Sequence, residues 1–555
     1  MRLVELLRIE WKTVLLWLVP GFAILSIVSG AWGWQLKEGM PLDDALYASL
    51  SSFGLNSNYT NLRLDNDTGQ VKLLLQVSRW SGVIVGFSAV FSVLWGLLHA
   101  YFSRIRAWSG NFPIALVGDS DLLLPALQLA KGNIRTLRLG AAGILSDFNS
   151  ISLPFIGDVE SFVKAHIRTS KKILVVSNLD ASTLSLARMA QKHAQNAQIT
   201  AIVRNESVIE AAQTLSDPRI RLLSTSKLVA RALHRDNPPF LIAKENGQRY
   251  INALFVGFGD VGEAIARDLI VNCRTIDLEL PHITIIDPLA DIRKISLEMA
   301  IPEFDKTCNF LALQGGFGVD LKPPQLLKPG APEFTCIYVC LPTDDEALAS
   351  LGHISHWLRA NGHSAPKIFV RLRDDNLMVS QVANIIEFGA FSNLARESEF
   401  LSDEPDYGAR AYHTAYLKQL KLSDAHNPNN VTAVPWEELS QTYRSANRTA
   451  IAHIPAKLAS VGIDSAIWVG VNGLPTLPPG VRLYSPGDGV KEKLGRLEHD
   501  RWNAERRLNG WKFGIKKNEP LKTHPCLVEY DELTEEMKSF DLELVEMLSQ
   551  MLISK

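Results

Sequence analysis

The clearest chemistry in the chain is carried by three glycines. An apolar run at 253–256 leads into Gly257-Phe258-Gly259-Asp260-Val261-Gly262, then a helix-forming stretch at 263–270, then a second apolar run at 283–286 that ends in Asp287. A G-x-G-x-x-G turn between strand and helix lets the backbone approach a phosphate, and the helix N-terminus offers unpaired N–H groups and the positive end of a dipole. An acid closing the next strand can accept ribose hydroxyls, and Asp287 lies 25 residues beyond Gly262, near the usual spacing of about 20. The apolar run 337–341 is followed by Pro342-Thr343-Asp344, which puts another acid at a strand tip. The candidate nucleotide-binding residues are therefore Gly257, Gly259, Gly262, Asp287 and Asp344. The identity of the ligand stays open, and so does the alternative that the loop is only scaffold.

A second constellation lies near the C-terminal end. In LEHDRWNAERRLN, His499, Trp502 and Arg506 fall at i, i+3 and i+7, on one helix face. Trp511, Lys522 and His524 follow. Arg506 or Lys522 could hold a phosphate, and Trp502 or Trp511 could stack on a base. From Arg496 to Lys522 there are eight Lys or Arg against four acids, a locally basic stretch. The competing reading makes the aromatics, Trp511 and Tyr530 above all, the core of a small helical domain with the charges solvated. A metal site on His499 and His524 is set aside, because no cysteine or carboxylate ligands are spaced to complete it.

Short apolar strands alternating with helices after Trp108 imply parallel sheets. The pattern occurs twice. In the first copy the strand 113–117 leads into Gly118-Asp119-Ser120-Asp121, so one glycine of the motif survives and the copy reads as structural. Gly157-Asp158 stands where such domains often carry a GD pair. The run 173–177 with Asp180 parallels 337–341 with Asp344, and 199–204 parallels 368–373, each of the latter pair ending in arginine.

The N-terminal hundred residues are of a different kind. Val14–Trp34 carries no charge, and Trp80–Phe102 none apart from His99; each is long enough to span a bilayer core of about 30 Å. Trp11, Trp32, Trp34, Trp80, Tyr101 and Trp108 sit near the ends as an aromatic belt would. Arg2, Arg8 and Lys12 before the first segment, with Arg104 and Arg106 after the second, place both ends of the chain on the cytoplasmic side. Between the segments, Pro41, Asp43 and Asp44 start a short helix. The polar stretch Ser52-Phe53-Gly54-Leu55-Asn56 then stands where a pore filter would. A loop packed on the membrane surface is the alternative.

The whole chain has 57 Lys plus Arg and 59 Asp plus Glu, a net charge of −2, which makes it a poor candidate for a general nucleic-acid binder. Five cysteines without a CxxC pair exclude a disulfide-stapled secreted protein. The expected fold class is α/β plus α-helical. Two transmembrane helices at about 13–34 and 80–102, with a pore-loop-like re-entrant segment at 41–58, make up residues 1–108. A degenerate Rossmann-type domain spans 109–245 and one with the glycine motif 249–400. A connector covers 401–434 and a mainly helical domain 435–555.

Three resemblances bear on function. The helix, short helix, polar loop, helix order resembles two-helix potassium channels in layout only, since their TVGYG filter is absent. Residues 109–400 resemble the regulator-of-potassium-conductance (RCK) family, also called TrkA N-terminal domains, which implies paired Rossmann lobes that assemble in a ring and pass ligand binding to a gate. There is no room after residue 400 for that family's usual C-terminal ligand lobe, so its cyclic-dinucleotide or cation site is not carried over. LEHDRWNAERRLNGWKFG with LKTHPCLVEYDEL resembles the ryanodine-receptor repeat (RyR) domain through Glu498, His499, Trp502, Gly510, Trp511, Gly514, Thr523, His524, Pro525, Leu527, Tyr530, Leu533 and Asp541. That resemblance implies sensing of a nucleotide-derived signal in antiviral defence. Together they imply a non-enzymatic, ligand-gated effector of the bacterial inner membrane, a homotetramer whose partners are the bilayer and a small nucleotide-like ligand and not nucleic acid. The alternatives are a regulatory subunit of an ion transporter and a non-selective membrane disruptor. An oxidoreductase is disfavoured because no acid–base residue stands ready near a nicotinamide.

Overall fold

The computed structural model describes residues 2–54, 67–130, 134–139, 150–155, 159–213, 220–317, 333–360, 362, 366–375, 377, 384–422, 431–463, 474–475, 477–478, 480–485, 487 and 489–552. Gly157-Asp158, Leu55 and Asn56 lie outside them. The chain divides into two units, Met1–Ser109 and Gly110–Lys555.

In the first unit, α1 (Arg2–Glu38) and α3 (Gly69–Ser109) are each longer than the apolar windows read from the sequence, and α2 (Leu42–Leu50) is the short helix after Pro41. The helices overrun those windows because flanking residues such as Val71 and Leu75 still find apolar partners. With Ala31, Trp34, Ala45 and Ala48 they form the core of this unit. The two long helices approach closely through small residues. The Ser26 hydroxyl donates to the Ser78 carbonyl and the Ser78 hydroxyl to that of Ser26, each at 2.8 Å. A Cβ at Gly33 would lie 2.7 Å from Leu75 Cδ2. Outward faces carry Ile24, Val28, Trp32, Trp80 and Phe87, all more than half exposed. Among the described residues, Val19–Glu38 is long and apolar enough to cross a membrane. Of the proposed filter, Ser52, Phe53 and Gly54 lie in a short 3-10 turn at Ser51–Gly54. A Cβ at Gly86 of α3 would come within 2.5 Å of the Phe53 carbonyl, so glycine is what admits that turn.

The second unit holds two six-stranded parallel sheets. The first comprises β1 (Ile114–Gly118), β2 (Ile134–Leu139), β3 (Ser150–Phe155), β4 (Lys172–Val176), β5 (Gln198–Val203) and β6 (Ile220–Ser224), in the order β3-β2-β1-β4-β5-β6. The second comprises β7 (Asn252–Val256), β8 (His282–Asp287), β9 (Asn309–Gln314), β10 (Cys336–Val339), β11 (Lys367–Arg371) and β12 (Ile385–Phe388), in the order β12-β11-β10-β7-β8-β9. Counted within each lobe, both are the 3-2-1-4-5-6 order of a dinucleotide-binding fold. The central strands β1 and β7 are buried along their whole length, which is why they read as unbroken apolar runs rather than alternating ones.

The lobes pack face to face through α4 (Thr225–Asp236) of the first and α5 (Asp260–Asn272) of the second, and Val229, Leu233, Ile265 and Leu269 share one apolar cluster. At that seam, the buried His234 ring lies 2.7 Å from Asp268 Oδ2 and 3.1 Å from Tyr338 Oη.

The C-terminal part is mainly helical. It comprises α6 (Tyr407–Leu422), α7 (Gln441–Ala452), α8 (Ile454–Ser460), α9 (Val490–Leu508) and α10 (Glu535–Leu552). A two-stranded ladder of β13 (Lys512–Phe513) and β14 (Thr523–His524) lies between α9 and α10. Ile454, Leu458, Leu494, Leu497, Val545 and Leu548 make its core. Helix α9 starts after Gly489 (φ +68°) and stops at Gly510 (φ +79°), both left-handed positions suited to glycine. This part is latched to the second Rossmann lobe. Arg267 donates to the Leu508 carbonyl at 2.8 Å, and Arg507 pairs with Glu303 at 2.9 Å.

Several cations in and around the basic stretch of the sequence are paired with acids. Arg501 is buried between Glu498 (2.8 Å) and Glu505 (2.6 Å), Lys457 reaches Glu498 at 2.6 Å, and Arg496 pairs with Asp531 at 2.5 Å. Arg496 and Arg507 thus find acids distant in sequence, while Arg501 is held by acids three and four residues away on its own helix.

Candidate functional site

Helix α9 brings His499, Trp502 and Arg506 to one side, as their spacing requires, and the turn at Gly510 returns the chain so that Trp511 and His524 meet them. These five residues line one pocket of about 610 Å³, together with Tyr443, Lys517, Glu519 and Asp541. That volume lies within the range of small-molecule sites, about 300–1,000 Å³.

Arg506 is the centre of the site. Its guanidinium carbon is 5.3 Å from the Trp511 ring centre and 5.7 Å from those of Trp502 and Tyr443, so three aromatic faces surround one cation. Among the described residues no hydrogen bond or ion pair reaches this guanidinium, and its Nε is buried without a partner. An arginine normally satisfies its five donors.

The histidines on either side have their pKa values pushed in opposite directions. The buried His499 places Nδ1 3.1 Å from Asp541 Oδ2 and Nε2 2.9 Å from the Val528 carbonyl, two acceptors that favour a doubly protonated ring. Burial opposes that charge, but the hydrogen bond and negative charge of Asp541 outweigh it and raise the pKa. His524 accepts the Cys526 N–H on Nδ1 at 3.1 Å and is therefore neutral. Burial, then Lys517 and Arg506, push its pKa down to about 4. It packs edge-on against Trp502, ring centres 4.9 Å apart. At the rim, the Tyr443 hydroxyl donates to Glu519 at 2.7 Å and Lys517 pairs with Glu519 at 3.1 Å. A planar group could stack against Trp502 while an anionic group takes the Arg506 fork.

Lys522 stands apart. At φ +48° its side chain turns away to donate to the Asn509 carbonyl at 2.8 Å, and it borders a different cavity. Lys517 supplies the lysine on the pocket wall instead. Sequence spacing missed Tyr443, Lys517 and Glu519 because they come from another helix and from the loop between β13 and β14. An aromatic in the N-terminal part of the same helical domain was the one available signal for Tyr443.

In the second Rossmann lobe the glycine motif adopts its expected turn. Gly257 has φ +83°, and a Cβ there would lie 2.9 Å from the Cys340 carbonyl; one at Gly262 would lie 2.8 Å from the Gly257 carbonyl. Around Gly259 there is nothing within 4 Å of an added Cβ. The two acids have local tasks. Buried Asp287 accepts the N–H of Phe258 and of Leu289, each at 2.8 Å, and Asp344 accepts those of Arg373 and Asp374 at 3.1 Å. Asp180 in the first lobe does the same for Arg204 (2.9 Å) and Asn205 (3.0 Å). These carboxylates tie neighbouring strand tips together. In the first lobe Gly118 has φ +139° and a Cβ would collide with the Val176 carbonyl, so its one retained glycine is a packing requirement.

Comparison with known proteins bears on both parts. The family model of the RyR domain matches residues 479–554. Solved structures with partial likeness include GsuK bound to ADP, 14% identical, covering 72% of this chain and 98% of that one at a TM-score of 0.37. The GsuK channel bound to NAD is 12% identical, covering 76% of this chain and 91% of that one at 0.35. The human SLO3 gating ring is 9% identical, covering 56% of this chain and 84% of that one at 0.33. Residues 479–554 thus match the RyR domain, as the E-H-x-x-W helix and T-H-P segment indicated, and the strand order makes the two lobes before them Rossmann-type.

Proposed function

We propose that the chain is a ligand-gated membrane effector whose RyR pocket senses a nucleotide-derived signal. The observation that carries this reading is Arg506, a cation ringed by three aromatic faces in an open pocket, with its hydrogen-bond donors unused among the described residues. A stacking face beside an unpaired fork suits a base or similar planar group linked to a phosphate.

In this reading α1 and α3 cross the inner membrane of a bacterium, and the apolar side chains on their outward faces support that placement. Two helices cannot enclose a pore, so the effector works as an oligomer, a homotetramer by analogy with two-helix channels, and passes cations through a path that includes Ser52, Phe53 and Gly54. The Rossmann lobes transmit the ligand's preference for one conformation to the helices. Such an effector fits antiphage defence. Gly257, Gly259 and Gly262 remain a candidate second nucleotide contact.

The test is calorimetric binding of a nucleotide panel to the full chain, repeated with Arg506→Ala and with Gly259→Ala. Loss in the arginine variant alone supports the RyR pocket. Loss in the glycine variant alone moves the sensor to the Rossmann loop, and no effect from either removes both.

A further inference from the structure

The Arg506 pocket also has an apolar side. On α10, Met537, Phe540, Asp541 and Leu544 fall at i, i+3, i+4 and i+7, one helix face, and all four line the pocket. Asp541 meets the His499 ring at 3.1 Å, which fixes this turn of α10 against α9. Phe540, next to it in the chain, is 56% exposed, and Val431 of the same pocket is 54% exposed. Burial of a phenyl side chain is strongly favourable, so a ring left open inside a pocket offers its face to an apolar surface.

The large aromatics around Arg506 are already engaged. Trp502 has the His499 ring 6.0 Å away and within 28° of parallel, the Arg506 guanidinium carbon at 5.7 Å and the edge of His524 at 4.9 Å. His499 and Arg506 come from the turns before and after Trp502, so little of either indole face is open. Trp511 is buried with Arg506 at 5.3 Å, and the Tyr443 hydroxyl is held by Glu519. Phe540 has no ring or cation partner among the described residues. A purely anionic ligand at Arg506 would leave this ring wet, and a purely apolar one would leave the guanidinium fork unfilled.

We propose that Phe540 is the base platform of this pocket: the base of a nucleoside phosphate lies on the Phe540 ring, beside Met537 and Val431, while its phosphate takes the Arg506 fork. This role rests on the reading of the Arg506 pocket as a nucleotide sensor, and it assigns the base to α10 instead of Trp502. Stacking suits any base, because each has a π-face, so this side of the pocket reads the presence of a base more than its identity.

AMP and ribose 5-phosphate, which has a hydroxyl in place of the base, are the probes. Titration calorimetry on the full chain in detergent should find AMP bound about 5- to 100-fold more tightly than ribose 5-phosphate. Phe540→Ala should bring AMP down to the level of ribose 5-phosphate and leave ribose 5-phosphate unchanged. Phe540→Trp should keep the preference, and Arg506→Ala should weaken both probes. Equal wild-type affinities, a preference that survives Phe540→Ala, or a preference lost in Phe540→Trp overturns the platform while the sensor reading stands. If Phe540→Ala also loses ribose 5-phosphate, the pocket itself is disturbed, and the wild-type preference together with Phe540→Trp decides. Binding of neither probe to the wild type, or no effect of Arg506→Ala on either, removes the sensor reading and the platform with it.

Discussion

The Arg506 guanidinium carbon sits 5.3 Å from the centre of the Trp511 ring, and Trp511 is itself buried to 5% exposure. Trp511 is thus part of the core, as the competing reading of the sequence had it, and at the same time a wall of the pocket. Its body packs inside the domain while one face steadies the cation. A fixed aromatic face limits the positions of a long side chain, so Arg506 is held ready before any ligand arrives.

Replacing Arg506 by lysine keeps the charge and removes the planar fork. Charge-assisted hydrogen bonds contribute about 1.5–3 kcal/mol, so the signalling nucleotide should bind roughly 10- to 100-fold more weakly to Arg506→Lys. Calorimetry checks this, and near-unchanged affinity would show that the ligand is recognised by stacking alone.

Asp406 joins two parts of the second unit. Arg221 on β6 donates to it through Nε (2.9 Å) and Nη2 (2.8 Å), and Arg448 on α7 through Nε (2.8 Å) and Nη2 (2.7 Å). Burial alone would raise its pKa, but the two guanidinia hold it well below the usual carboxylate range. Asp406→Ala leaves Arg448 without this acid and Arg221 with only Glu399 at 3.5 Å, and should destabilise the unit by roughly 3–5 kcal/mol, read as a lower urea midpoint. A depressed carboxylate pKa stabilises above the unfolded value of 3.8 and loses that contribution only as pH falls further, so the wild type should hold this contact at pH 5.

His499 and His524 predict opposite pH effects. A lowered pKa favours the native state fully above the ordinary 6.5, and that contribution declines as pH falls toward about 4. A raised pKa, at His499, stabilises below 6.5 and is lost as pH rises through the folded value. NMR of labelled histidines at pH 6 should find the His524 ring neutral and the His499 ring charged. His524→Asn should flatten the loss of stability between pH 6.5 and 4.

The three glycines of the motif should respond differently to alanine. Gly262→Ala forces a Cβ to 2.8 Å from a backbone oxygen, and Gly257→Ala adds an unfavourable φ, so each should destabilise by about 1–3 kcal/mol in thermal melts. Gly259→Ala meets nothing and should melt like wild type. A binding loss in that variant alone would then report on the ligand.

Much of the fold was legible because it rests on local patterns. Gly257, Gly259 and Gly262 with the buried run 252–256 specify strand, turn and helix, and the RyR signature around His499 and Trp502 specifies a helix face. Charge partners far apart in sequence were not legible. Arg501 and Arg507 read as part of a basic stretch, and nothing in their neighbourhood announces Glu303 or the burial of Glu498. Asp287 reads as a ribose acceptor and Asp344 as a further strand-tip acid, and nothing local announces that each accepts a backbone N–H 29 residues away, from Phe258 and Arg373.

By itself the sequence determined the α/β duplication, the two long apolar helices and the one-sided placement of His499, Trp502 and Arg506, since these follow from period and residue type. Only the tertiary structure decided that Arg507 pairs with Glu303 while its neighbour Arg506 has no partner among the described residues, and that Lys522 turns away while Lys517 faces the pocket. Those outcomes depend on which distant groups reach a given charge. Side-chain pairing acts across a few ångströms of space, and no local pattern encodes it.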